Sequence, residues 1–207
     1  MNQPCTDADL TNADFTDADL VKAILIRANF TNADLTDANL TEADLAKAIL
    51  VHANFTGADL TEANFTGAEL TGNAIFNDAT VLKANFESAK LADSKLTRAD
   101  LSGANLNGAF LNRADLSGAI LNLADFSEAI ILATDLRFTI GLEQQLTGKY
   151  PPLICNSPLP EGIDIEGGKD RDCDKLPEVL KVRSPEEFET LEEAEAYVEE
   201  QQRKVWE

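Results

Sequence analysis

The chain is short of the residues on which most catalysis depends. Its 207 residues include one histidine, one tryptophan, one methionine and two tyrosines. Ser-His-Asp, Cys-His and histidine–metal chemistry all need positioned partners, and the single His52 recurs in no such constellation, so no catalytic residue is expected. Three cysteines, Cys5, Cys155 and Cys173, are too few for a disulfide scaffold and leave room for one local bridge at most. Bases are scarce as well: 17 Lys and Arg stand against 37 Asp and Glu, a formal net charge of −20. Phosphate binding needs clustered bases, so nucleic acid is excluded as a direct partner, and so is an anionic membrane surface. No apolar run approaches the roughly 20 residues of a bilayer-spanning helix.

What is present is a period of five. A large apolar residue, position i, falls at Leu10, Phe15, Leu20, Leu25 and every fifth residue to Leu70. It resumes at Phe76 and continues to Leu136, 26 units in all. Position i−2 is Ala almost throughout, with Ser94 and Thr134 as exceptions and Thr139 in a decayed last unit. A period of five fits neither the 3.6 residues of a helix nor the 2 of a strand. The unit is therefore a short extended piece and a turn. Four units close a coil of about 20 residues, and coils stack at about 4.8 Å. Position i fills the middle, and i−2 points inward where only a methyl fits. Positions i−1, i+1 and i+2 are polar and face water. Between Leu70 and Phe76 the spacing is six, with Thr71-Gly72-Asn73 before Ala74, which reads as a bulged corner.

Units such as Ala13-Asp14-Phe15-Thr16-Asp17 and Ala104-Asn105-Leu106-Asn107-Gly108 resemble the pentapeptide-repeat family, with its pattern A-[DN]-[LF]-[ST]-x. The resemblance covers about two-thirds of the chain. It implies an all-β solenoid, a right-handed quadrilateral β-helix of about six and a half coils over residues 7–141. Residues 142–207 follow as an irregular, partly helical extension. Leu153-Ile154-Cys155-Asn156, Leu159-Pro160-Glu161-Gly162 and Asp172-Cys173 are similar to a tail of some cyanobacterial members. That resemblance implies that Cys155 and Cys173 pair; a reduced cytosolic pair is the alternative.

Assigning successive units to four sides, beginning with Leu10 on side one, lets the surface be read. Side two carries the densest acids, Asp14, Asp17, Asp34 and Asp37, but Lys95 and Arg98 interrupt it further on. Outward apolar residues form two groups. Val21, Ile24, Ile26, Ile49 and Val51 mark a candidate partner surface. Phe110, Ile120, Leu123, Ile130 and Leu132 mark a candidate surface for the chain's own tail. In that tail Gly141 to Lys149 reads as a short cap, and Pro151, Pro152, Pro158 and Pro160 suggest an extended, wandering segment. Ser184-Pro185-Glu186-Glu187 and Thr190-Leu191-Glu192-Glu193 both read as capping boxes. An amphipathic helix is expected over about 191–206, with Leu191, Ala194, Val198, Gln201 and Val205 on one stripe. Asp170, Asp172 and Asp174 alternate like the start of a calcium loop, but Lys175 and Lys181 stand where glycine and the bidentate glutamate belong, so no metal or other cofactor is expected.

These features point to a non-catalytic scaffold, a monomer that binds another protein. The alternative comes from a branch of the resembled family, whose acidic rods mimic DNA and bind a topoisomerase, gyrase. The segment Met1-Asn2-Gln3-Pro4-Cys5 has neither the basic region nor the apolar core of a signal peptide, so a cytoplasmic location is expected. A leader already removed would place the protein in the thylakoid lumen or periplasm instead.

Overall fold

Residues 5–147 and 149–206 are described in the computed structural model; Met1–Pro4, where the expectation of no signal peptide rests, lie outside the described residues. Backbone pairing recurs once per coil in four parallel columns, one for each side. On side one it runs Asp9, Asn29, Ile49, Glu69, Lys90, Phe110, Ile130; on side two Asp14, Asp34, Asn54, Ile75, Lys95, Asp115, Asp135. Side three carries Asp19, Asn39, Asp59, Thr80, Asp100, Ile120 and Ile140, and side four Ile24, Asp44, Asn64, Asn85, Asn105 and Asp125. The bridging residue is position i−1. Its carbonyl accepts from the large residue one coil below, as Asn54 from Leu35 at 2.7 Å, and its N–H donates to an alanine carbonyl of that coil, as Asn54 to Ala33 at 3.0 Å.

The corners are tight turns. Outside the insertion before Ala74, the N–H of the i−2 alanine donates to the carbonyl of the residue three before it, as Ala43 to Leu40 at 2.9 Å. Position i+2 sits at positive φ, 56° at Asp37 and 59° at His52, the geometry of a type II turn. The i−1 acid or amide then locks the corner. Asp59 Oδ1 accepts from the N–H of Thr61 at 3.0 Å and from its hydroxyl at 2.6 Å. This Asx-type lock explains why Asp or Asn precedes the large residue and Thr or Ser follows it; reading those positions as merely polar missed it. It also makes i+1 half-buried rather than fully outward.

Inside, every large residue from Phe30 to Leu136 is at most 1% exposed, and so are most of the alanines. The hydroxyls that replace alanine find carbonyls: Ser94 donates to Leu91, Thr134 to Leu111 and Thr139 to Leu136. Phe55 stacks on Phe76, and Phe65 on Phe86, with edge-on contacts across the core. The extra residue at Thr71-Gly72-Asn73 puts two successive positive-φ residues at one corner, Gly72 and Asn73. The pairing interval simply lengthens by one, Asn54 with Ile75 and Asp59 with Thr80, and the ordinary interval returns at Ile75 with Lys95.

After Gly141 the period is lost but the winding is not. A 3-10 turn at Glu143–Leu146 drops Leu142 and Leu146 onto the core. Strand β2, Leu153–Cys155, then pairs in parallel with β1, Ile130–Leu132, and so continues side one. The Pro158 carbonyl takes the Leu136 N–H on side two, and Ile154 and Ile165 close over the core with Leu159 and Ile163. Two helices follow: α1, Leu176–Arg183, which sequence reading did not anticipate, and α2, Leu191–Gln202. The Thr190–Glu193 capping box is formed in full. The one expected at Ser184 makes only a turn, its carbonyl accepting from Glu187 and Phe188. Helix α2 ends at Gln202, short of the expected 206, so Val205 lies outside the stripe and is exposed.

Two substitutions test the inward corner. Ala58→Leu should lower the thermal midpoint, since overpacking a closed core costs about 1–3 kcal/mol, while Ala46→Leu at a half-buried turn position should change it little. Equal shifts in a calorimetric melt would be inconsistent with the closed corner.

Candidate interaction surfaces

The tail meets the rod on side one. Phe110, Ile130 and Leu132, outward on the last coils, are buried against Leu176, Leu180, Phe188, Ala194 and Val198 of the helical hairpin. Arg183 lies over the Phe110 ring, 4.6 Å from its centroid, and donates to the carbonyls of Glu128 and Gly108. Burial pushes its guanidinium below the ordinary value, against the opposing pull of Glu128. Lys90, one coil below Phe110, pairs with Glu186 at 2.6 Å and Glu187 at 3.4 Å. The five residues considered for tail docking therefore divide. Ile120 and Leu123 belong to side three, opposite the hairpin, where Ile120 is half-buried and Leu123 exposed.

Cys155 and Cys173 are joined, with Cα atoms 4.9 Å apart across 18 residues of sequence. The bridge ties β2 to the approach to α1; a loop of this length restrains the unfolded chain by about 3 kcal/mol. Asp170 Oδ1 lies 3.9 Å from Cys173 Sγ and accepts from the Asn156 N–H at 3.0 Å. With both sulfurs bonded, this trio offers no thiolate to a metal.

Two polar residues whose part in the fold the sequence did not disclose hold the tail. The buried Asn156 donates from Nδ2 to the carbonyls of Gln201 and Lys204, at 2.7 and 3.0 Å, and so closes the C-terminus of α2. Its own carbonyl accepts from Trp206 Nε1 at 3.0 Å. The buried Asp172 accepts from Lys175 and Arg171, each at 2.7 Å, and from the Ile154 N–H at 3.2 Å. Burial alone would raise its carboxyl, but these donors outweigh it and hold the group below the usual range.

At the other end, Ile24 and Ile49 are 38% and 40% exposed on adjacent coils, and Val21, Ile26 and Val51 beside them are half-buried. Asp14, Asp17, Asp34 and Asp37 of side two are all exposed, and Asp14 bridges directly to Asp34. Both are occupied by corner locks: Asp14 Oδ1 accepts from the Thr16 hydroxyl and N–H, which lower its carboxyl, and Asp34 Oδ1 from the same groups of Thr36. Asp17 and Asp37 occupy the positive-φ corner. Elsewhere on the rod, bases at this corner pair one coil away with acids, as Arg27 with Asp7, Lys83 with Glu62 and Arg98 with Asp78. His52 is exposed at such a corner. No described helix is long and apolar enough to cross a membrane.

Two outcomes follow for the tail. Asn156→Ala should leave the last carbonyls of α2 unpaired, at about 1–3 kcal/mol for buried groups, and speed hydrogen exchange in α2 without altering the repeat coils. Asp172 has a folded pKa below its unfolded one, so its contribution is present above about pH 3.9 and lost as pH falls through the folded value. Acid should therefore loosen the tail, read by Trp206 emission, and Asp172→Asn should already be loosened at neutral pH.

The model for "Pentapeptide repeats" matches residues 5–41, 38–72 and 94–131, in 8 copies. Among solved structures, QnrB1, a plasmid-mediated fluoroquinolone resistance protein, is 21% identical over 73% of this chain and 81% of its own, with a TM-score of 0.42. HetL, a pentapeptide repeat protein involved in heterocyst differentiation regulation in the cyanobacterium Nostoc sp. strain PCC 7120, is 27% identical over 73% and 83%, with a TM-score of 0.23. A pentapeptide repeat protein of the Arabidopsis thaliana thylakoid lumen is 32% identical over 52% and 67%, also at 0.23. A comparison with curated proteins finds no match. With its short units stacked coil on coil in four bridged columns, and half of its length matched by the repeat model, the chain belongs to the pentapeptide repeat family.

Proposed function

We propose that this chain is a non-catalytic scaffold that presents the apolar surface around Ile24 and Ile49 to a protein partner. The observation that carries the reading is a contrast between the two ends of the rod. At the C-terminal end, outward Phe110, Ile130 and Leu132 are covered by the chain itself. At the N-terminal end, Ile24 on side four and Ile49 on side one stand about one coil apart on neighbouring sides, 38% and 40% exposed, with nothing in the described chain over them. Residues 7–141 are the scaffold in this reading, right-handed as family membership implies and of about six and a half coils, and residues 142–207 are its extension. The joined Cys155 and Cys173 favour a compartment where disulfides persist, lumen or periplasm, over the cytoplasm.

A duplex-mimicking role, with gyrase as the partner, has Asp14, Asp17, Asp34 and Asp37 in its favour. The charge is too sparse and too broken for it. Residues 7–141 hold 20 acids and 9 bases, roughly two net negative charges per coil. Duplex DNA carries about three over the same 4.8 Å. Side two also reads Asp, Asp, Asn, Ile, Lys along its bridging column.

The test is capture from a host extract by immobilised protein. Ile24→Glu with Ile49→Glu should abolish a captured species that Asp14→Asn with Asp34→Asn retains, both pairs keeping the wild-type circular dichroism. Loss with the acidic pair alone would transfer the function to side two.

A further inference from the structure

Three side chains able to ligate a metal converge where the tail is bridged. Cys155 closes β2 and is held by that strand's pairing with Leu132. Asp170 ends a 3-10 turn, Gly168–Asp170. Cys173 follows it by three residues, its N–H donating to the Asp170 carbonyl at 3.4 Å. Residues three apart on a helical turn share a face, so the carboxylate and the second sulfur meet Cys155 together. The two sulfurs and a carboxylate oxygen of Asp170 all lie within 4.8 Å of one another. Asp170 Oδ1 is also oriented from behind, since it accepts from the Asn156 N–H at 3.0 Å. That is the outer support a ligating carboxylate needs.

Breaking the bridge changes what this trio can hold. A dithiol reductant supplies two electrons and two protons, becomes a disulfide itself, and leaves two thiols here. Those thiols sit in the apolar cluster beneath α1 and α2, with the Asp170 carboxylate beside Cys173. A divalent cation suits this arrangement: it displaces both thiol protons, forms two metal–sulfur bonds and is neutralised by the thiolates. Sulfur ligands select against Ca²⁺ and Mg²⁺, which take oxygen, and favour zinc. Tetrahedral zinc spaces sulfur and oxygen ligands about 3.5–3.8 Å apart. The parted sulfurs reach that spacing by side-chain rotation, with the cysteine Cα atoms left at 4.9 Å. Cys173 also borders a cleft of about 300 Å³ between the start of α1 and α2, rimmed by exposed Asp174, Glu195 and Glu199. These acids attract cations to its mouth, and the cleft has room for the water that completes a site of three protein ligands.

We propose that the reduced chain binds one Zn²⁺ through Cys155, Cys173 and Asp170, and that the ion replaces the disulfide as the tie between β2 and the helical hairpin. The bridge holds the tail on side one in an oxidising compartment, and the metal holds it there in a reducing one. The site lies at the opposite end of the rod from Ile24 and Ile49, so it neither needs nor supports a partner surface there.

Metal titration of the full chain tests it, with Cys5→Ser removing the exposed third thiol. Protein reduced with a phosphine, then freed of it without air, should take up one Cd²⁺ per chain, seen as thiolate-to-metal charge-transfer absorption. Zn²⁺ should displace that ion, and the oxidised protein should take up neither. Asp170→Asn should weaken uptake at least about tenfold. It should leave the melt of the oxidised protein unchanged, because an amide oxygen still accepts from the Asn156 N–H. In the reduced protein, Zn²⁺ should slow hydrogen exchange in α1 and α2 to the rate of the oxidised form, and a chelator should reverse this. Reduced protein that shows no stoichiometric charge-transfer band would overturn the proposal. So would uptake indifferent to Asp170→Asn, or helix exchange that zinc leaves unchanged.

Discussion

Each coil passes its backbone hydrogen bonds to the next, and the spacing of that exchange sets the limits on every side chain. Three N–H groups per unit are committed to neighbours one full coil away: those at i−1, i and i+2. The chain must therefore turn four right angles within four units. A corner that sharp needs a left-handed residue at i+2, a methyl-sized residue at i−2 and a local lock for the polar groups left between. The first appears in the positive φ of Asp37 or Lys47, the second in the run of buried alanines, the third in pairs such as Asp59 and Thr61. The period of five is the shortest sequence that supplies all three and one core residue besides.

The coil was legible because its constraint repeats. One inward alanine proves little; a run of them, each two residues before a leucine or phenylalanine, is what a closed corner demands and what a helix or a flat strand has no use for. The Asx lock lay in the same letters, but it needs an acceptor placed over the amide two residues on, and that geometry is invisible until the turn is drawn. The tail was harder for the opposite reason. Ile154, Leu159 and Ile163 close the core much as repeat residues do, yet their spacing is set by prolines and by the 3-10 turn, so no period announces them. Helix α1 is hidden by Pro177, which stops a helical interior but suits a first turn. Asn156 is a single letter whose role depends on a helix end 45 residues away.

Among the candidate surfaces, sequence could name outward apolar residues but not what lay over them. Phe110, Ile120, Leu123, Ile130 and Leu132 are alike as letters. Counting units already puts Phe110, Ile130 and Leu132 on side one and Ile120 and Leu123 on side three; the fold shows which side is covered, since two bridging residues and a corner of side one meet the hairpin. A quadrilateral coil makes this distinction sharp, because residues two units apart in sequence point in opposite directions.

The two ends of the rod are built differently, and this gives the molecule a mechanical direction. At the C-terminal end a strand, a plug of Leu142 and Leu146, a disulfide and two helices close the stack. At the N-terminal end the side chains of Leu10, Phe15 and Leu20 are only partly buried, and among the described residues the coil there pairs only with the one that follows it. Tension applied between the ends would peel the coil from its open end, one rung at a time. Such an element yields under a low and nearly constant force, like a zipper drawn from its free end, and its unravelled length measures the work it has absorbed. Reversal starts from the closed end, where each rewound rung becomes the template for the one before it in the chain.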